Sequence, residues 1–268
     1  MLPWQTLESV NTPEGNLELR RRGEHDFLIT VGGRVLMTSA AHRSEDDLAD
    51  LSCAALAGKA QPRVLLGGLG MGFTLRRTLD KLPASARITV VDLNPQVVAW
   101  NRGPLSILTR GASEDPRVKI VVGNVARVIA HAAAGQFDAI VIDLYEGPHA
   151  AISRDRDPLY GNEALERTLA ALRPGGVFAV WSEERDKPFE DRLATAGFAV
   201  ERHHGGKGGR IHVIYVAQQA RAQVAFAKTR LASQPTFKPS LPPPSFGKAH
   251  HREGKHGQRD ARVRTKRK

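Results

Sequence analysis

Residues 17 to 40 alternate apolar and polar positions in three short runs, LELR, DFLITV and RVLM, with Gly32 and Gly33 between the last two. That pattern predicts a β-hairpin whose two-residue turn needs positive φ. The period then lengthens. Ser44 is placed to cap a helix with Glu45, Asp46 and Asp47 in its first turn and an apolar face along LADLSCAALAG, which Gly58 ends. A small β element thus precedes a larger unit.

From Arg63 onward, short apolar runs alternate with helical stretches. The strand candidates are RVLLGG (63 to 68), RITVVD (87 to 92), RVKIVV (117 to 122), FDAIVID (137 to 143), GVFAVW (176 to 181), FAVER (198 to 202) and IHVIYVA (211 to 217). The first five are apolar on both faces, as strands covered on both sides must be. The helical stretches between them are FTLRRTLDKL, PQVVAWNRG behind the cap Asn94, VARVIAHAAAG and NEALERTLAAL. This βαβ alternation predicts an α/β fold with a doubly wound, Rossmann-like (methyltransferase-like), mostly parallel seven-stranded sheet. The last two strands are separated by only a glycine-rich turn, so they are expected to form an antiparallel hairpin at the sheet edge.

Charge divides the chain further. The 268 residues carry a net charge of +11, but from Arg221 onward 13 Lys and Arg face only Glu253 and Asp260, and residues 1 to 220 balance to zero. The tail is also rich in proline and poor in aliphatic residues after Leu241, a composition that does not offset its ordering entropy. The expected organisation is a β-hairpin element over 1–43, a ligand-binding domain over 44–220 and a basic, Pro-rich disordered tail over 221–268, with a short helix at 221 to 231. A tail of this charge suits contact with nucleic acid, although its aromatic residues Phe237 and Phe246 precede the densest charge. Cys53 is the single cysteine, which excludes an internal disulfide and a cysteine-cluster metal site; the adjacent pairs His203-His204 and His250-His251 do not have metal-ligand spacing. No apolar run approaches the roughly 18 residues of a membrane helix. With no secretory pattern at the start of the sequence, a cytoplasmic protein is expected, with no membrane partner and no metal.

In open α/β sheets ligands bind beyond the carboxyl ends of the strands, where strand order reverses. Gly68, Gly70, Met71 and Gly72 follow the first strand, and Phe73 replaces the glycine that a dinucleotide fingerprint would carry. The G-x-G-x-G spacing suits an S-adenosyl ligand, which has no pyrophosphate. Asp92, with Leu93 beside it, ends the second strand 20 residues after Gly72, where a carboxylate accepts hydrogen bonds from ribose hydroxyls. Asn124, after the third strand, has two readings: helix cap or adenine contact. Asp143 ends the fourth strand over the centre of the crevice, with Tyr145, Glu146 and His149 just beyond it. Trp100 and Trp181 read as packing residues, and the mixed-charge loop at Arg154 to Asp157 reads as exposed surface.

The series RVLLGGLGMGFTLRRTL, TVVDLNPQVVAWN, DPRVKIVVGN and FDAIVIDLYEGP resembles the successive motifs of the spermidine synthase-like polyamine aminopropyltransferases, over about residues 17 to 217. The resemblance implies decarboxylated S-adenosylmethionine as co-substrate, a small-molecule amine as acceptor and a possible homodimer. It puts Gly68, Gly70 and Gly72 in the glycine-rich loop, Asp92 on the ribose, Asn124 where the family usually has an adenine-contacting Asp, Asp143 on the catalytic Asp and Glu146 on the acid that holds the diamine. Tyr145 would then pack on the alkyl stem or hydrogen-bond there. The chain also departs from the family. Met71 stands where an Asp usually faces the aminopropyl amine, Asp143-Leu144-Tyr145-Glu146-Gly147 replaces the usual Asp-Ser-Thr-Asp-Pro, and the usual Tyr-His-Glu is not recognisable around His42 to Asp46. Methyl transfer from intact S-adenosylmethionine to a small molecule or RNA is therefore an alternative. A further alternative is an inactive nucleoside-binding domain whose tail grips nucleic acid.

Overall fold

The computed structural model describes residues 2–145, 147–148, 154–205 and 212–220. Glu146, His149 and the whole basic tail lie outside them. Four strands, β1 (Gln5–Thr12), β2 (Gly15–Arg22), β3 (Asp26–Val31) and β4 (Arg34–Thr38), form an antiparallel meander in the order β1-β2-β3-β4. Gly32 and Gly33 turn between β3 and β4 with φ of 53° and 79°, as the pattern required. The alternation did not signal β1. That strand pairs only with β2 and is mostly exposed on both faces, so it carries no apolar stripe to read.

Helix α1 (Arg43–Ala54) departs from its expected ends. His42, not Ser44, stands at its N-cap, and the Ser44 hydroxyl instead donates to the Glu45 carboxylate at 2.6 Å. The helix stops at Ala54, and the chain turns through Gly58 at φ 78°.

The larger unit continues with β5 (Arg63–Gly67), α2 (Phe73–Lys81), β6 (Arg87–Asp92), α3 (Pro95–Arg102), the single turn α4 (Ser106–Thr109), β7 (Val118–Val122) and α5 (Val125–Ala130). It is completed by β8 (Phe137–Ile142), α6 (Asn162–Ala171), β9 (Leu172–Ser182), α7 (Lys187–Thr195), β10 (Phe198–Gly205) and β11 (His212–Gln219). Asn94 and Asn124 cap α3 and α5, their side-chain oxygens accepting the amides of Gln96 and Ala126. The seven expected strands lie in the order β10-β11-β9-β8-β5-β6-β7, parallel from β9 to β7 and antiparallel at the β11 and β10 edge. Two apolar clusters cover the sheet faces. One joins the inner faces of β2 and β3 (Leu17, Leu19, Phe27, Ile29, Val31) to α1, α2 and α3, and the other packs α5, α6 and α7 on the opposite face.

The chain runs outward from β5 to β7 and returns as β8 on the other side of β5, so strand order reverses between β5 and β8. The crevice expected at such a point opens above Gly67, Gly68 and Asp143.

Candidate active site

At the reversal point the strand ends pack backbone to backbone. The Asp143 amide donates to the Gly67 carbonyl at 2.8 Å, and the Gly68 amide donates to the Val91 carbonyl at 2.8 Å. Gly68 has φ 94°, and a Cβ there would lie 2.0 Å from the Asp143 carbonyl oxygen, so only glycine fits. A cavity of about 500 Å³ sits above this junction, walled by Gly68, Gly70, Asp92, Val97, Asp143, Leu144, Tyr145, Trp181, Glu183, His212 and Glu45. Its roof is the small sheet: Leu17, Ile29, Val35, Leu36, Met37 and Thr38 face it. Met37 also rests on the glycine turn, its sulfur accepting the Met71 amide at 3.3 Å.

Asp143 is the most perturbed acid in the cavity. Burial, with repulsion from the Glu45 carboxylate, pushes its carboxyl up to about 7 against the opposing pull of a 2.5 Å hydrogen bond donated by the Thr74 hydroxyl. Burial likewise raises Glu45, opposed by the Ser44 hydroxyl. Asp92 spans the base of the glycine turn, one oxygen accepting the Leu69 amide at 2.8 Å and the other the Asn94 amide at 2.9 Å. Each carboxylate oxygen keeps a lone pair for a further donor, such as a ribose hydroxyl. The Tyr145 ring lies 5.8 Å from the Arg34 guanidinium at the cavity mouth. Among the described residues the wall holds no Lys or Arg, and His212 supplies an imidazole there.

The structure thus brings Gly68, Gly70, Asp92, Asp143 and Tyr145 to one cavity. Other expected residues lie elsewhere. Met71 is fully buried in the core, so its side chain does not face the crevice, and Gly72 packs against Asn101, whose side-chain oxygen would lie 2.6 Å from an added Cβ. Leu93 is 68% exposed and outside the cavity wall. Asn124 lines a separate cavity of about 520 Å³ with Arg127, His131, Asp157 and Arg167 while capping α5. Asp155 and Arg156 are exposed as expected, whereas Asp157 is half-buried and accepts the amides of Leu159 and Tyr160 at 2.8 and 2.7 Å. Trp181 packs on the core as expected and also walls the first cavity, its ring 4.7 Å from that of His212.

Sequence reasoning missed Glu45, Glu183 and His212. Glu45 left a signal: with Leu48, Ala49, Ser52 and Cys53 it lies on the buried stripe of α1, where a carboxylate has no packing role. His212 was hidden by its distance in sequence, 168 residues from the Ser44 hydroxyl that its Nδ1 meets at 3.1 Å. Among the described residues no group of three or more His, Cys, Asp or Glu has the arrangement of a metal site, and no helix is long and apolar enough to cross a membrane.

Residues 47–192 match the spermine/spermidine synthase domain. The polyamine aminopropyltransferase of Mycobacterium tuberculosis (strain H37Rv) is 28% identical over 195 residues, which is 69% of this chain and 35% of that protein. Putrescine N-methyltransferase 3 of Nicotiana tabacum is 36% identical over 121 residues, 45% of this chain and 30% of that one. The chain therefore spans about a third of the length of these curated relatives. The fold matches the crystal structure of spermidine synthase from Thermotoga maritima with a TM-score of 0.65 at 20% identity, covering 80% of this chain and 72% of that one. With more than half its length inside the family domain, and with the fold to match, this chain belongs to the spermine/spermidine synthase family.

Proposed function

We propose that the chain transfers an aminopropyl group from decarboxylated S-adenosylmethionine to a small amine in the cavity between the four-stranded sheet and the β5/β8 junction. The observation that carries this reading is Asp143: a desolvated carboxyl at the reversal point, held by Thr74 and raised to about 7. An aliphatic amine has a pKa of about 10, so near neutral pH roughly one molecule in a thousand is free to attack, a deficit of about 4 kcal/mol. A carboxylate with a pKa near 4 is a weak acceptor for that proton. Raised to about 7, Asp143 has the proton affinity of a working general base.

In the proposed step the amine lone pair attacks the methylene carbon next to the sulfonium. The carbon–sulfur bond breaks toward sulfur, which leaves as the neutral thioether of methylthioadenosine. Asp143 takes the proton that the substrate ammonium gives up to free this lone pair, and the nitrogen is positive again once its new bond has formed. Thr74 fixes the carboxylate rotamer, and Asp92 receives the ribose hydroxyls above the glycine turn. The apolar roof excludes water, which strengthens each charge interaction beneath it.

A second reading is methyl transfer from intact S-adenosylmethionine to a similar amine. Met71 favours it: in the family an Asp usually faces the aminopropyl amine from that place, whereas this chain buries a thioether there. The similarity to putrescine N-methyltransferase 3 points the same way. The full-length protein, incubated with each sulfonium donor and 1,4-diaminobutane, separates the two. Methylthioadenosine from the decarboxylated donor supports aminopropyl transfer, S-adenosylhomocysteine from the intact donor supports methyl transfer, and neither product from either donor refutes both. We also propose a cytoplasmic location, which the single, buried cysteine suits.

A further inference from the structure

Outside the cavity, several of the less exposed carboxylates are neutralised by cations, while Asp186 instead caps α7 by accepting the Phe189 amide. Asp138, almost fully buried in β8, meets the Lys59 ammonium at 2.8 Å; Asp115 meets Arg117 at 2.8 Å; Glu190 receives both Arg185 and Arg202. Glu45 has neither a cation nor a helix-capping role, and it lines the cavity. It is only 7% exposed, its side-chain hydrogen bond comes from Ser44, and among the described residues no Lys or Arg pairs with it. A carboxylate withdrawn from water without a cation is costly, and the cost is removed when a ligand brings the missing charge.

The position of Glu45 says what that ligand charge is. It enters the cavity from α1, whereas Asp143 enters from the end of β8, and the alkyl side chains of Leu17, Ile29 and Leu36 roof the same space. We infer that Glu45 is the specificity-determining residue for the acceptor, holding the ammonium group that does not react, so that the site selects diamines over monoamines. Ser44 and His212 are positioning residues in this scheme. His212 meets the Ser44 hydroxyl, and that hydroxyl directs its proton to Glu45 Oε2, fixing the carboxylate on its cavity side. Glu45 would then do the work that the family resemblance implies for Glu146. This role rests on the proposed amine chemistry at Asp143, but not on which sulfonium donor is used.

The test compares wild type with Glu45→Gln, which preserves shape and an acceptor for Ser44 while removing the charge. Binding of 1,4-diaminobutane and of butylamine is measured by calorimetry on the full-length protein saturated with methylthioadenosine, and steady-state KM and kcat are measured for the same two amines. The expected result is a loss of diamine affinity at least tenfold greater than any loss for the monoamine, with the effect in KM rather than kcat. Ser44→Ala, which releases the carboxylate without removing it, is expected to shift the same ratio by a smaller factor. Unchanged diamine preference in Glu45→Gln, or equal losses for both amines, overturns the role. If Glu45→Gln does not fold, the Ser44→Ala ratio decides in the same way. The failures are distinguishable: diamine binding that depends on Glu45 without turnover by either donor sinks the proposed reaction and leaves the binding role standing. Turnover with an unaltered diamine preference does the reverse.

Discussion

Replacing Asp143 with Asn should uncouple stability from pH in a defined way. The folded carboxyl titrates near 7 and an unfolded one near 3.8, so between those values the folded state holds a proton that the unfolded state has lost. Wild-type stability from this group is therefore complete below about pH 4 and declines until pH passes 7. A shift of about 3 units corresponds to roughly 4 kcal/mol, of which about 3 kcal/mol falls between pH 5 and pH 8. Asn has no charge to bury and keeps an oxygen for the Thr74 hydroxyl. Denaturant unfolding of both proteins at pH 5 and pH 8 measures the effect. The stability of Asp143→Asn relative to wild type should rise by about 3 kcal/mol from the first pH to the second, while turnover at pH 8 falls by a factor of 10² or more. A stability difference that stays constant with pH would refute the idea that Asp143 is desolvated. Full turnover in a folded Asn variant would remove it from the reaction. In Glu45→Gln the like-charge repulsion is absent, so the pH window of Asp143 should move downward.

Other outcomes follow from individual contacts. Gly68→Ala forces a Cβ into the Asp143 carbonyl and strains a φ of 94°, so it should cost roughly 3 kcal/mol or more and abolish nucleoside binding; an Ala variant of wild-type stability would contradict the packing of this junction. Asp92→Ala should weaken methylthioadenosine binding at least tenfold, checked by calorimetry, because the glycine turn loses the acceptor for its Leu69 amide. Asp138→Ala should destabilise the fold by about 3 kcal/mol without changing amine KM, since it strands Lys59 and the Arg63 amide at the far end of β8. Burial pushes the Cys53 thiol up to about 11, so a disulfide reagent at pH 8 should label it only as fast as the protein unfolds.

The sheet was legible because β5, β6 and β8 must be apolar on both faces to lie between helices, and that demand writes itself as uninterrupted runs. The strand-end residues Gly68, Asp92 and Asp143 were legible for a related reason: the topology carries whatever ends these strands to one crevice. Strand β1 was not, because an exposed edge strand places no constraint on which faces are apolar. Met71 shows a different limit. Its place in the glycine turn was readable, but the direction of its side chain depends on φ angles and on Met37, which comes from another sheet. Glu45 and His212 belong to the same class. What makes them neighbours is the docking of α1 beside β11, a contact between distant segments that no local pattern records.

The roof of the cavity is a meander of consecutive strands, closed by pairings between neighbours in sequence, while the floor is assembled from strand ends spread between Gly68 and Trp181. The two surfaces are therefore heritable and engineerable separately. An exchange of Val35 and Leu36 would reshape the space offered to an alkyl chain and leave Met37 on the glycine turn. Diversification of such a protein toward acceptors with a different alkyl chain needs change only in one short hairpin, while the charge of the acceptor is set from α1.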